Sequence, residues 1–391
     1  MKIQAKDNTY IANTYARFPL VITKGEGSLV WDENGKEYVD FSGGIAVNTL
    51  GIADRGWVQA VTDQLTSLQH ISNLYYTAPA AALAEELCQR TGMRKVFFSN
   101  SGAEANECAI KVARKYAAEK RGAEYHTVIT LRNSFHGRTL TTLAATGQDT
   151  FHQDFTPLTP GFVHAPANDL AEVIRLSEEY KCAAVMLEVV QGEGGVNALD
   201  PAFVTGVADL CREKDLLLIC DEVQIGNGRS GMLYGYMNYG ITPDVVSTAK
   251  GLGGGLPLGA TLIGEKAQDV LTPGSHGSTF GGNPVCCAGA LHILSRLDDA
   301  MLEGVRQRSA YVFDTLKGKP GVEDVSGMGL MIGVKTTRPA ADVIAHCMER
   351  GLLVIKAKDK VRLLPALNVP METLKKGIEI LLEACAFGKE N

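Results

Sequence analysis

From residue 95 to residue 250 the chain alternates short apolar, β-branched runs with longer amphipathic segments, and this pattern limits the folds open to it more than any other feature. Lys95–Ser99 (KVFFS) reads as a strand. Ala103–Arg121 reads as a helix, with Cys108, Val112 and Tyr116 on one face and Gly122 as its stop. Strands are then expected at Thr127–Leu131, Ala183–Val190, Leu216–Cys220 and Val245–Thr248, with helices at Asp169–Tyr180 and Pro201–Lys214 between them. Strand–helix–strand alternation predicts an α/β fold, with a mostly parallel sheet covered by helices on both faces. Ligands bind such sheets beyond the carboxyl ends of the strands, so residues directly after each strand are the ones to inspect.

A chain of 391 residues exceeds one small domain. After about Gly304 the texture changes. Short strands (Gly329–Val334, Leu352–Ile355, Val361–Leu364) alternate with helices Ala341–Arg350 and Met371–Phe387, as in a smaller α+β domain. A hairpin is expected across Gly27–Tyr38, turning at Glu33-Asn34-Gly35. The expected organisation is an N-terminal segment (1–50) packed on a small C-terminal domain (304–391), with a large domain (51–303) between them.

Net charge is −6, which gives no electrostatic footprint for nucleic acid or an anionic membrane. Small anionic ligands would need individually placed arginines. No apolar run reaches membrane-spanning length, and Met1–Leu20 does not read as a signal peptide. Nine cysteines without a C-x-x-C pair fit a reducing cytoplasm, and eight histidines without an H-x-x-x-H pair give no metal site.

Five strand ends carry polar or glycine-rich clusters. Ser99-Asn100-Ser101-Gly102-Ala103-Glu104 joins a strand to a helix. Ser101 and Glu104 have capping-box spacing, and the free N–H groups beside Gly102 suit a phosphate, although an ordinary capped helix has the same residues. Asp221 follows an apolar strand; it can hold a ring nitrogen cationic or simply begin a turn. Lys250 ends a strand and precedes four glycines in five residues. A desolvated lysine there forms imines with carbonyls, whereas a surface lysine before a loop is the plainer alternative. The glycines lack the acidic residue of a dinucleotide-binding fingerprint. Phe135-His136-Gly137-Arg138-Thr139 offers an aromatic ring for stacking and a guanidinium for a carboxylate. Glu188–Gly195 (EVVQGEGG) sets an acid in a glycine-rich loop.

With these motifs in order, the sequence resembles the class III, or ω-amino acid, aminotransferases, which are fold-type I pyridoxal-phosphate enzymes. The resemblance rests on SNSGAEANE (99–107), FHGRT (135–139), EVVQGEGG (188–195), CDEVQIGNGRSG (220–231), TPDVVSTAKGLGGGLPLGA (242–260) and STFGGNPVCCAGA (278–290). It implies that Lys250 holds pyridoxal 5'-phosphate as a Schiff base and shuttles a proton. It also implies that Asp221 pairs with the pyridinium nitrogen, Val223 packs behind the ring, Gln224 bonds the ring hydroxyl and Phe135 stacks on the other face. Gly102 and Ala103 offer N–H groups to the phosphate, and Thr279 reaches the phosphate of a neighbouring subunit, so a homodimer is expected.

Length and the ending VRLLPAL (361–367) point within the family to the branch acting on N2-acetylornithine with 2-oxoglutarate, as in arginine biosynthesis. Arg138, with Ser278, then binds the distal carboxylate. Glu193 neutralises Arg362 until glutamate or 2-oxoglutarate needs that arginine. Ornithine, 4-aminobutyrate and succinylornithine are alternative donors. A decarboxylase or epimerase would need no second carboxylate acceptor such as the Glu193/Arg362 pair provides. The chain departs from the family at Gly51–Gly56, where G-H-x-H-P is usual, and at Ala366, where a second proline is common. Gly43-Gly44 lacks the tyrosine associated with free ornithine, and Tyr15 either lines the entrance or packs.

Overall fold

Along the strand Cys182–Leu187 the side chains alternate between two cores. Ala184 and Met186 join Cys108, Val112 and Ala113 of the helix Gly102–Arg121, whereas Val185 and Leu187 join Phe203 and Val207 of the helix Pro201–Glu213. A strand with every residue buried, as this one is, belongs in the middle of a sheet covered on both faces. The computed structural model, which describes residues 2–387, contains that sheet. Its seven strands run in the order Lys95–Ser99, Gly259–Ile263, Val245–Thr248, Leu217–Asp221, Cys182–Leu187, Thr127–Leu131 and Phe162–Ala165. Neighbours are parallel except at Gly259–Ile263, which runs antiparallel to both its partners.

That strand was not foreseen, nor was the edge strand Phe162–Ala165. Gly259–Ile263 lies directly after the Lys250–Gly255 loop, and its glycine-rich approach reads as loop until the sheet pairs it. Two expected strands are also divided. Ala183–Val190 ends at Leu187, and Val190–Gln191 pairs separately with Asn197–Ala198. Leu352–Ile355 splits into Leu352–Leu353, which runs parallel to Glu37–Asp40, and Ile355–Ala357, which is antiparallel to Lys360–Leu363.

The C-terminal region builds a second, antiparallel sheet from Val322–Met328, Met331–Thr336, Lys360–Leu363 and Ile355–Ala357. Helices Ala340–Glu349 and Met371–Ala386 contribute Val343, Ile344, Leu374, Ile378 and Leu381 to its core. The helix Asp299–Leu316 runs through position 304, where the sequence changes texture. The N-terminal strands Ile22–Glu26, Leu29–Asp32 and Glu37–Asp40 form a third sheet, completed by Leu352–Leu353, so the two ends of the chain share one sheet. In the hairpin turn, the Asp32 carboxylate accepts from the N–H groups of Asn34 and Lys36, and Gly35 takes a φ of 80° that few other residues adopt. Among the described residues no helix is long and apolar enough to cross a membrane.

Candidate active site

The carboxyl ends of the central strands open into one cavity of about 650 Å³. Its lining includes Gly102, Ala103, Phe135, Arg138, Asp221, Val223, Gln224 and Lys250, together with Tyr15 from the N-terminal segment. Tyr15 and Lys250, 235 positions apart in sequence, thus line one cavity.

At one wall the strand Lys95–Ser99 passes into the helix Gly102–Arg121. Ser101 Oγ accepts from the Glu104 N–H at 3.2 Å, and Glu104 Oε2 in turn accepts from the Asn100 N–H at 2.9 Å, one residue before the cap. Gly102 and Ala103 line the cavity, and their N–H groups belong to the first turn of a helix, which has no internal acceptors for them. Glycine is required at 102: a Cβ there would lie 2.6 Å from Val223 Cγ1. At Gly137, φ is 142° and a Cβ would lie 2.8 Å from Ala103 Cβ, so a glycine lets the Phe135–Thr139 loop settle on the helix start.

Asp221, the last residue of its strand, is buried at the floor. Oδ2 accepts from Asn106 Nδ2 at 2.7 Å and lies 2.8 Å from His136 Nδ1, while Oδ1 accepts from the Val223 N–H at 3.0 Å. His136 Nε2 and Asn106 Oδ1 are buried without a hydrogen-bond partner among the described residues. Beside them Glu188 accepts from the N–H of Phe135 at 2.9 Å and that of Gly192 at 3.2 Å, tying two cavity loops together. Burial pushes the Glu188 carboxyl up to about 7; the nearby Asp221 charge acts in the same direction, and His136 opposes it.

Lys250 stands at the mouth of its strand with a φ of 43°, a conformation strained for a lysine. Burial holds its amine below the ordinary lysine range, and Arg362 adds to this, although the carboxylates of Glu193, Asp221 and Glu188 pull the other way. A lowered lysine is a better nucleophile and proton acceptor near neutral pH.

The two arginines differ. Arg362 is buried on the strand Lys360–Leu363 and bonds Glu193 Oε1 at 2.7 Å, Glu193 Oε2 at 3.3 Å and Gln224 Oε1 at 2.9 Å. Burial alone would raise Glu193, but the Arg362 charge and hydrogen bond hold its carboxyl below the usual range. Arg138 is exposed at the cavity edge, with its guanidinium over the rings of Phe151 and Phe135.

Ser278 and Thr279 lie outside the cavity lining within this chain. Ser278 Oγ accepts from Asn100 Nδ2 at 3.1 Å and from the Gly281 N–H at 3.0 Å, and Thr279 is exposed next to an exposed Phe280. Asn106 and Glu188 fall inside the motifs SNSGAEANE and EVVQGEGG, but their support of the site was not read there, and Phe151 lies outside every motif. Asn106 sits inside a regular helix, Glu188 within an apolar run and Phe151 in a short 3-10 turn, and their partners are distant in sequence.

Comparison with known proteins identifies the family. The model of the class-III aminotransferases matches residues 10–385. An acetylornithine aminotransferase of Haemophilus ducreyi is 50% identical, covering 98% of each chain. A succinylornithine transaminase of Salmonella typhimurium is 45% identical over 96% of this chain and 94% of its own. The crystal structure of the ornithine aminotransferase from Toxoplasma gondii superimposes with a TM-score of 0.94 at 31% identity, covering 98% of this chain and 94% of that one. The chain therefore belongs to the class-III aminotransferase family, whose members are pyridoxal-phosphate-dependent enzymes.

Proposed function

We propose that this enzyme transfers the δ-amino group between N2-acetylornithine and 2-oxoglutarate, giving N-acetylglutamate 5-semialdehyde and glutamate, as a cytoplasmic step of arginine biosynthesis. The observation that carries the reading is a pair of unlike arginines about the site: Arg362, outside the cavity lining but bonded to the lining residue Gln224 and neutralised by Glu193, and Arg138, in the lining without a hydrogen-bonded acid. A donor with one distal carboxylate needs a cation far from its reacting amine and none beside it. A five-carbon dicarboxylate needs both. Glu193 serves the first by covering Arg362 and the second by turning aside, as ping-pong exchange requires. The relative named for acetylornithine supports the donor.

The residues present fit pyridoxal phosphate. A buried carboxylate, Asp221, lines the cavity and is held by Asn106, His136 and the Val223 N–H. The helix start at Gly102 and Ala103 suits the phosphate. Gln224 serves the ring hydroxyl, Val223 and Phe135 flank the ring, and Lys250 supplies the attachment. When bound, the cofactor supplies an electron sink and a temporary seat for the amino group. Lys250 Nζ, kept low by burial, takes the proton from the substrate carbon that bears the reacting amine. Arg138 and Ser278 fix the distal end, and Arg362 fixes the carboxylate beside the reacting carbon of glutamate. Thr279 completes the phosphate site of a second copy. Exposed Leu74, Tyr75, Tyr76 and Phe280 support burial of that surface in a homodimer.

The test is a half-reaction. Purified holoenzyme is mixed with N2-acetylornithine, without a keto acid, and its visible band is followed. Conversion to the aminated cofactor is expected, faster than with ornithine or 4-aminobutyrate. Faster conversion by N2-succinylornithine would move the donor assignment to that acyl group, and conversion by none of the four would sink the ω-amine reading.

A further inference from the structure

Arg138 is the one group in the proposed carboxylate grip with no hydrogen bond or ion pair among the described residues, yet two aromatic rings hold it. Its guanidinium carbon lies 4.1 Å from the centre of the Phe151 ring and 5.5 Å from that of Phe135. The two rings meet edge-on, with centroids 5.8 Å apart and planes at 76°. Phe151 is partly buried and belongs to the 3-10 turn Asp149–Phe151, outside every motif on which the family resemblance rests. Phe135 lines the cavity and Phe151 does not, so Phe151 backs the arginine from outside.

An exposed arginine loses side-chain freedom when it grips a ligand, and that loss weakens binding. A ring against one face of the guanidinium removes much of the freedom beforehand. It does so without using an N–H, so the planar fork stays open for a bidentate carboxylate. An acidic partner would also fix the arginine but would compete with the substrate for the same donors. We propose that Phe151 is a positioning residue for substrate recognition: with Phe135 it forms an aromatic clamp that holds Arg138 ready for the distal carboxylate of both the amino donor and 2-oxoglutarate. This rests on the reading of Arg138 given above.

The test compares Phe151→Leu, Phe151→Tyr, Arg138→Ala and the double variant Phe151→Leu/Arg138→Ala as holoenzymes, measuring kcat and KM for N2-acetylornithine and 2-oxoglutarate. Loss of the clamp in Phe151→Leu should raise both KM values roughly three- to ten-fold with kcat little changed, the range expected for an aromatic–guanidinium contact. Phe151→Tyr, which keeps the ring face, should stay near the parent. The double variant should be no worse than Arg138→Ala alone, because the clamp then has nothing to hold. A fall in kcat with unchanged KM, failure of Phe151→Tyr to retain KM, or additive losses in the double variant would each overturn the clamp and leave Phe151 a packing residue. If Arg138→Ala itself leaves both KM values unchanged, the carboxylate reading of Arg138 fails first. If Arg138→Ala raises them and Phe151→Leu does not, the clamp alone fails.

Discussion

The inner and outer ends of the site each hold a guanidinium, Arg362 bonded to the lining residue Gln224 and Arg138 in the cavity lining itself, and the two are managed by different physics. At the inner end Arg362 is buried, and a bare cation there would be costly. Glu193 and the Gln224 carbonyl oxygen compensate it. At the outer end Arg138 reaches solvent, needs no counter-charge, and is held by the faces of Phe135 and Phe151 instead. The difference teaches how one site can serve two ligands of unlike charge. On the proposed function, the group whose charge must be hidden in one half of the cycle is the one paired with an acid, and the group needed in both halves is the one kept free of acids.

The comparison breaks most completely at the lysine that serves both ends. Lys250→Ala should abolish turnover with either substrate, a loss on the order of 1,000-fold or more, read by steady-state rates with cofactor in excess. Substrate-dependent residual activity would mean that another base works at one end. Next, Arg362→Ala should lower kcat/KM for glutamate roughly 100-fold while the acetylornithine half-reaction changes much less, because that donor meets Arg362 only in its covered state. Equal losses for both substrates, or intact glutamate turnover, would remove the distinction between the two ends.

The smallest effect concerns a buried acid that has no counter-charge. Glu222 is fully buried and accepts from the N–H groups of Gly235 at 2.7 Å and Tyr236 at 2.8 Å. Burial pushes its carboxyl up to about 7 despite those donors. The folded chain then keeps a proton that the unfolded chain has released, so this group lowers stability as pH rises from the ordinary carboxylate range to about 7, and the slope ends above that. Glu222→Gln should flatten the urea midpoint between about pH 5.5 and 7 by an amount worth about 2 kcal/mol. Glu188, raised in the same direction, should keep part of the slope. An unchanged pH profile would show that Glu222 stays ionised and that its two N–H donors outweigh burial.

Much of the central sheet was legible because its strands are buried on both faces and read as continuous apolar runs. Thr127–Leu131 and Val245–Thr248 match their expected bounds. Gly259–Ile263 was not legible, since a strand's direction and partners depend on pairings such as Ala260 with both Thr248 and Phe98. The break after Leu187 has a similar cause. Glu188 continues an apolar run in sequence, but its carboxylate turns to the N–H groups of Phe135 and Gly192, and the chain leaves the sheet.

The sequence by itself determined the α/β class, the family, and the groups placed after the strands, because strand-end position and residue type are local properties. It marked Lys250, Asp221 and Gly102 on those grounds. Tertiary structure alone decided how those groups are supported. It set His136 and Asn106 against Asp221 across separations of 85 and 115 residues, and it set Phe151 against Arg138. The physical reason is that a pairing between distant segments is fixed by how the sheet and its loops pack, and no periodicity or motif at either partner encodes the other.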